Sequence, residues 1–391
     1  MRVLLIADTH FATHEHAMLR RIEVAAAEDG RRVVLAHPNT APAPAPSPFA
    51  SHIVYPSREW RSIKKLTARA RAGSLAAALA DLELPSPTTE GADRPIDVIH
   101  ALGDGCWPIA FALADLVGVP ICADVHSPRA LAEAARIHTS RAKHAPEPPV
   151  AWLAPDGPAL ARLQSALPAA RTRLAPWGVF LPANPSRALT RAKDVAVSLV
   201  IAGSGSDPSA ARGVLTGLAS LPSDAPPTLL FLDSTFLSHR HSLYRDIRSL
   251  NLLDRLSIID NLEGHRDIAL RADVLLLPEA LSLHSTLLLD ALAAPLGVIA
   301  AADPGIEALT ASEAPVLLES PTPTSWGEAV LGLLRDPESA RHRALKGRPY
   351  IERERQASAH TRAVLAAYEA LANSGPLPFT QGSGRVVTTP E

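Results

Sequence analysis

The sequence predicts an α/β protein made of two doubly wound, Rossmann-like halves facing a central cleft. Three observations carry that expectation. At 391 residues the chain is long for a single hydrophobic core. Its strands read as unbroken apolar runs, as strands covered on both faces do. A β-α-β opening is followed, from about residue 195, by a second series of the same kind, whose centre is the stretch ADVLLLPEALSLHSTLLLDALAA at 272–294.

The elements follow in order. Residues 3–7 form the first strand, 8–14 a polar loop, 15–29 a helix stopped by Gly30, and 32–36 the second strand. A Pro/Ala/Ser loop at 37–49 leads to a short strand at 52–55, a helix at 66–81 and a further loop at 84–94. Strands at 97–101 and 120–123 flank a helix at 107–116, and the second of them ends in Asp124-Val125-His126-Ser127. A strand at 150–154, a helix at 157–166 and a strand at 172–176 complete the first half, and 183–194 is a linker.

The second half opens with a strand at 195–202 and the turn Gly203-Ser204-Gly205. A helix follows, with Asp207 as N-cap and Pro208 in its first turn. Strands at 228–233 and 256–259 alternate with helices near 242–250 and 263–272. Then come a strand at 273–277 ended by Pro278, a polar loop at 282–285, a helix from Thr286 to Ala294 and a strand at 297–301. Helices at 325–335 and 337–345 and one long helix at 352–371 close the fold, and 374–391 is a disordered tail. The expected domains are 1–182, 183–350, a crossover helix at 351–373, and the tail.

Composition narrows the function. A net charge of −2 gives no global case for nucleic acid as partner. Two cysteines, Cys106 and Cys122, are too few for a disulfide framework and fit a reducing cytoplasm. No spacing of metal-ligating residues stands out, so neither a metal nor a cofactor is expected. The N-terminus reads as a strand, not a signal peptide, and no run approaches the roughly 18 apolar residues that span a bilayer. The Ala-, Pro- and Arg-rich, Lys-poor usage fits a high-GC bacterial genome. The segment from Arg58 to Arg71 is basic; it is either a solvated helix face or a weak membrane-surface contact.

The chemistry-bearing residues lie where doubly wound sheets bind ligands, at strand C-termini. The amides of His284, Ser285 and Thr286 open a helix, which is an anion site. Pro278 and Asp290-Ala291-Leu292-Ala293 resemble the nucleotide-sugar motif of family 4 glycosyltransferases, retaining enzymes of the GT-B fold. That motif runs Pro-Ser-x-x-Glu-Gly-Phe-Gly and then Glu-Ala-Met-Ala. Here Ser282 and Asp290 stand at the two glutamate positions. The resemblance runs over about 1–372. Pro176-Trp177-Gly178-Val179 is similar to the family's Pro-Asn-Gly-Val, and Pro304-Gly305-Ile306-Glu307 to its Gly-Gly-x-x-Glu.

The resemblance implies transfer of a sugar, with retention, from a nucleotide-diphosphate donor to a glycan, lipid or small-molecule acceptor. It implies that Gly203, Ser204, Gly205 and Arg212 face the diphosphate and that Ser282, His284 and Ser285 surround sugar and phosphate. Asp290 would take the ribose and His126 would sit by the reacting sugar. Glu279 would stand in for the carboxylate that Ser282 lacks, and His10 and His14 would line the acceptor side. The chain departs from the family in having no glycine between Met1 and Asp29 and in carrying Ser204 where an arginine is usual.

Two other readings stay open. With Ser282 and Ser204 in those places, the chain could bind a nucleotide sugar without transferring it. Separately, Asp8-Thr9-His10 and Gly103-Asp104 resemble the opening motifs of calcineurin-like metallophosphoesterases, though the remaining signatures are missing.

Overall fold

The computed structural model describes residues 1–41, 47–56, 64–82, 96–141, 148–183, 189, 195–238, 242–262 and 264–373. In chain order, the first half carries β1 (Arg2–Ala7), α1 (Thr9–His14), α2 (His16–Glu28), β2 (Arg32–Pro38), β3 (Ala50–Tyr55) and α3 (Lys64–Asp81). It continues with β4 (Val98–Leu102), α4 (Trp107–Val117), β5 (Ile121–Asp124), α5 (Pro128–Arg141), β6 (Val150–Ala154), α6 (Gly157–Ala166) and β7 (Thr172–Leu174). Its seven strands are parallel, in the order β3-β2-β1-β4-β5-β6-β7.

The second half carries β8 (Val197–Ile201), α7 (Pro208–Ala219), β9 (Thr228–Asp233), α8 (Thr235–Ser238), α9 (Ser242–Ser249), β10 (Leu256–Ile259), α10 (Arg266–Ala269) and β11 (Val274–Leu277). After these come α11 (Thr286–Ala293), β12 (Gly297–Ala301), α12 (Glu307–Ala311), β13 (Val316–Leu318), α13 (Pro323–Arg335), α14 (Pro337–Leu345), α15 (Gly347–Glu354) and α16 (Ala357–Ala372). The six strands are again parallel, in the order β10-β9-β8-β11-β12-β13.

Helices on both faces explain the unbroken apolar strands. In β1, Val3, Leu5 and Ala7 enter one core while Leu4 and Ile6 enter the other. The first of these cores runs on through Trp177 and Val179 into Leu275, Leu287 and Leu292 of the second half. The halves therefore share apolar packing, and the final helix α16 lies on the first half, against α2 and β4 to β6.

Three expectations need correction. Residues 8–14 are a helix start, not a loop: the Asp8 carboxylate caps α1 by accepting from the Phe11 amide at 2.9 Å. The long final helix is two helices, α15 and α16, broken at Arg355 and Gln356. There the Val179 amide donates to the Arg355 carbonyl at 2.9 Å and the Ala357 amide to the Val179 carbonyl at 3.1 Å. Finally, α5, α8 and β13 were not expected as separate elements. The 374–391 tail, most of the linker and 57–63 of the basic segment lie outside the described residues. Among those described, no helix is long and apolar enough to cross a membrane.

Candidate functional site

Strand order reverses between β1 and β4 in one sheet and between β8 and β11 in the other. Crevices at such switch points, outside the strand C-termini, are where open α/β sheets take ligands. In the first half the crevice begins at Asp8. Its carboxyl is pushed up from the ordinary value by burial, and its second oxygen accepts from the Gly105 amide at 3.1 Å. Gly103, at φ +92°, passes so close that a Cβ there would lie 2.1 Å from Asp8 Oδ2. Both oxygens of Asp8 accept from main-chain amides, so the Asp8-x-His10 and Gly103-Asp104 pattern builds a cap and its seat. Among the described residues, no group of three or more His, Cys, Asp or Glu is placed to hold a metal.

Because α1 is helical, His10 and His14 do share a face, with ring centroids 4.9 Å apart. His126, at the end of β5, stacks on His10 at 5.9 Å, and Trp177 stacks on His126 at 6.0 Å. The three expected histidines therefore come together. Burial, helped by the charge of His10, brings His126 down to about 3, against the pull of Asp124, so this imidazole is neutral at physiological pH.

In the second half Asp207 caps α7, as expected. Gly205 needs its φ of +71°, and a Cβ there would lie 2.4 Å from the Thr235 carbonyl oxygen. The turn is not empty. Glu279 accepts from the Ser204 amide at 2.6 Å, the Ser204 hydroxyl at 2.9 Å and the Asp207 amide at 2.6 Å. The carboxylate expected near the donor sugar thus sits in the anion seat made by Ser204 and the Asp207 amide, within the Gly203-Ser204-Gly205 turn and the start of α7.

The loop before α11 is equally committed. The Ser282 amide and hydroxyl donate to Asp303 at 2.5 Å and 3.0 Å, and Ser282 itself holds φ +49°. Ser285 caps α11 by accepting from the Leu287 amide at 3.2 Å. His284 turns to the first half: its Nδ1 lies 3.0 Å from the His126 carbonyl oxygen and its Nε2 2.8 Å from Asp156 Oδ2. Both ring nitrogens face oxygens. Burial raises the Asp156 carboxyl, but the hydrogen bond and charge of His284 bring it below its ordinary value.

Arg212 lies on the second turn of α7, turned towards α9, and its guanidinium pairs with Asp246 at 2.6 Å. Sequence reasoning also missed the residues that join the halves. Arg355, buried, donates to the Pro155 carbonyl and pairs with Glu307, each at 2.8 Å, while Glu307 accepts from the Gly157 amide at 3.0 Å. Asp156 caps α6 by accepting from the Ala159 amide at 2.8 Å and is also the partner of His284. Between these groups lies a cavity of about 90 Å3, walled by Leu277, Leu283, Leu288 and Trp177, with Glu279 and Ser285 at its edge.

Asp290, on α11, faces Arg266 at 3.5 Å and keeps 20% of its side chain exposed. Burial pushes its carboxyl up to about 6, against the attraction of Arg266 and Arg21, with Glu15 repelling. Between the ordinary carboxyl value and about 6 the folded chain binds more protons than the unfolded one. Stability therefore falls as pH rises through that window. Asp290→Asn is expected to gain about 1–2 kcal/mol on wild type at pH 7 and little at pH 4. Melting of both proteins at the two pH values checks this; an equal difference at both would contradict the assigned direction.

No protein-family model matches the chain, and no curated protein matches it significantly. Solved structures do. Sucrose-phosphate synthase from Thermosynechococcus elongatus overlays with a TM-score of 0.76 at 16% identity, covering 96% of this chain and 100% of that one. A glycosyltransferase from Rickettsia africae overlays at 0.65 and 10% identity, over 96% and 99% of the two chains. Anabaena Alr3699/HepE in complex with UDP-glucose overlays at 0.64 and 12% identity, over 95% and 100%. At such identities the likeness is one of architecture. Two parallel sheets, two facing switch points and a final helix returning to the first half give this chain the GT-B fold of those glycosyltransferases.

Proposed function

We propose that the chain is a glycosyltransferase of the family 4-like, retaining kind, using a nucleotide-diphosphate sugar and needing no metal. One observation carries this. The starts of α7 and α11, both facing the cleft, each hold a carboxylate of the protein, Glu279 on the Ser204 and Asp207 amides and Glu15 on the Thr286 amide. Seats that bind carboxylate oxygens through main-chain amides suit phosphate oxygens equally. The overlay with HepE holding UDP-glucose adds support. In this reading the bond from the sugar's anomeric carbon to the leaving phosphate breaks, and a bond to the acceptor oxygen forms on the same face. The acceptor's proton passes to the leaving phosphate.

Gly203, Ser204 and Gly205 face the diphosphate, Asp290 the ribose, and His126, His10 and His14 the acceptor. The two buried free thiols, Cys106 and Cys122, accord with a cytoplasmic place of work. Purified protein should melt higher with UDP-glucose, UDP-N-acetylglucosamine or GDP-mannose, and should release nucleotide diphosphate from one of them when acceptors are supplied. No melting shift with any of the three would count against the reading. A second reading, binding without transfer, is favoured by the Ser282–Asp303 bonds, which put a short hydroxyl where a carboxylate would reach the sugar. A melting shift without turnover would select it.

A further inference from the structure

The first turn of α11 carries more than amides. Arg266, from α10, donates to the Thr286 hydroxyl and the His14 carbonyl, each at 3.1 Å, and lies 3.5 Å from both Glu15 and Asp290. Arg21, from α2 of the other half, has Asp290, Glu15 and Arg266 as its charged neighbours. Glu15 is fully buried. It accepts from the Thr286 amide at 2.9 Å and from the Thr286 hydroxyl, so a carboxylate of the first half is seated on a helix start of the second.

The charges are only partly matched by bonds. Arg21 Nε and Nη2 are buried and make no hydrogen bond, and Arg266 Nη1, also without one, has only the ion pair to Asp290 at 3.5 Å. Buried guanidinium donors without acceptors are costly, and a cluster whose only purpose was to tie the halves together would satisfy them. The Glu15 carboxylate, which accepts from Thr286 and, at 3.5 Å, from Arg266 Nη2, does not satisfy Arg21 Nε and Nη2. A diphosphate, with oxygens spread over two phosphorus centres, can, and planar guanidinium forks suit it.

We propose that Arg21, Arg266 and Thr286 form the seat for an anionic phosphate or diphosphate group, and that Glu15, bonded to Thr286 in this structure, must be displaced when the ligand enters. These two arginines, one from each half, supply the cations that Ser204 and Arg212 do not. The proposal rests on the transferase reading only in taking the anion to be the donor's diphosphate. The seat is near solvent: Arg266 keeps 13% of its side chain exposed, and Arg21 lies under the ring of Phe180, which is 70% exposed. Asp290, pushed up to about 6, can take a proton as a second anion arrives.

The test is calorimetric titration of pyrophosphate and of UDP into wild type, Glu15→Gln, Arg21→Met and Arg212→Ala, with melting curves confirming that each variant folds. Glu15→Gln keeps an oxygen for Thr286 but removes the competing charge. It is expected to tighten both ligands at least tenfold. Arg21→Met should weaken both at least tenfold, and Arg212→Ala should change neither. If Arg21→Met unfolds, Arg266→Lys, which keeps a cation but loses the fork, should still weaken both. If UDP binds wild type, Glu15→Gln and the arginine variants alike, the diphosphate lies elsewhere; the seat is wrong and the transferase reading survives. If pyrophosphate follows the expected pattern and UDP binds no more tightly than pyrophosphate, the seat stands and the nucleotide reading falls. If neither ligand binds any of these proteins, both are overturned.

Discussion

Asp124→Ala is expected to cost about 3–5 kcal/mol of folding stability, the usual loss when one partner of a buried pair is removed. Asp124 ends β5 almost wholly buried, and its Oδ2 lies 2.5 Å from His100 Nε2. His100 Nδ1 in turn lies 2.6 Å from the hydroxyl of Tyr368 on α16. The relay therefore ties the returning helix to the centre of the first sheet. Burial alone would raise the Asp124 carboxyl, but the charge and hydrogen bond of His100 hold it below its ordinary value. Its contribution is thus present above the ordinary carboxyl range and lost as pH falls through the depressed value. Domains are stable by about 5–15 kcal/mol, so the loss should be plain in urea unfolding at pH 7. Asp124→Asn, which keeps the shape and an acceptor, should lose less. A cost below about 1 kcal/mol for the alanine variant would mean that the relay does not hold α16.

Gly178→Ala should be comparably damaging, for a steric reason. A Cβ at Gly178 would lie 2.3 Å from the Gln356 carbonyl oxygen, 2.5 Å from its carbon and 2.6 Å from the Arg355 carbonyl oxygen. All three are main-chain atoms, so no rotamer change relieves the clash. The segments must separate, which gives up the two bonds of Val179 to Arg355 and Ala357 and loosens the buried Arg355. A loss of about 3 kcal/mol or more is expected, with faster proteolysis near residue 180. Gly73→Ala is the control: nothing lies within 4 Å of a Cβ there, and it sits inside α3, where alanine favours helix by about 0.5–1 kcal/mol. If both variants melted alike, close approach at Gly178 would not matter.

The fold was legible because its signals are local. The strands at 150–154, 228–233 and 297–301 have the bounds their apolar runs suggested, and Asp207-Pro208 marks the start of α7 as capping rules require. What misled was set by distant residues. The helix after Asp8 depends on Gly103 and Gly105 seating the cap from almost a hundred positions away. The break between α15 and α16 has no glycine or proline at Arg355-Gln356; it is imposed by Val179. The candidate site is split in the same way. The meeting of His10, His14 and His126 follows from strand order, but the pairing of His284 with Asp156, of Glu279 with the Ser204 turn and of Glu15 with Thr286 joins residues 75 to 271 positions apart. Nothing in a one-dimensional pattern marks an acid as destined for another element's amides, just as nothing marked Arg212 for Asp246.

The paired crossing at Val179 and Gln356 has a mechanical consequence. The chain passes from the first half to the second after Val179 and returns at Gln356, and these two passages are laddered side by side. They act as a single pin. Any rotation of one half against the other that keeps the bonds of Val179 to Arg355 and Ala357 must turn about this crossing.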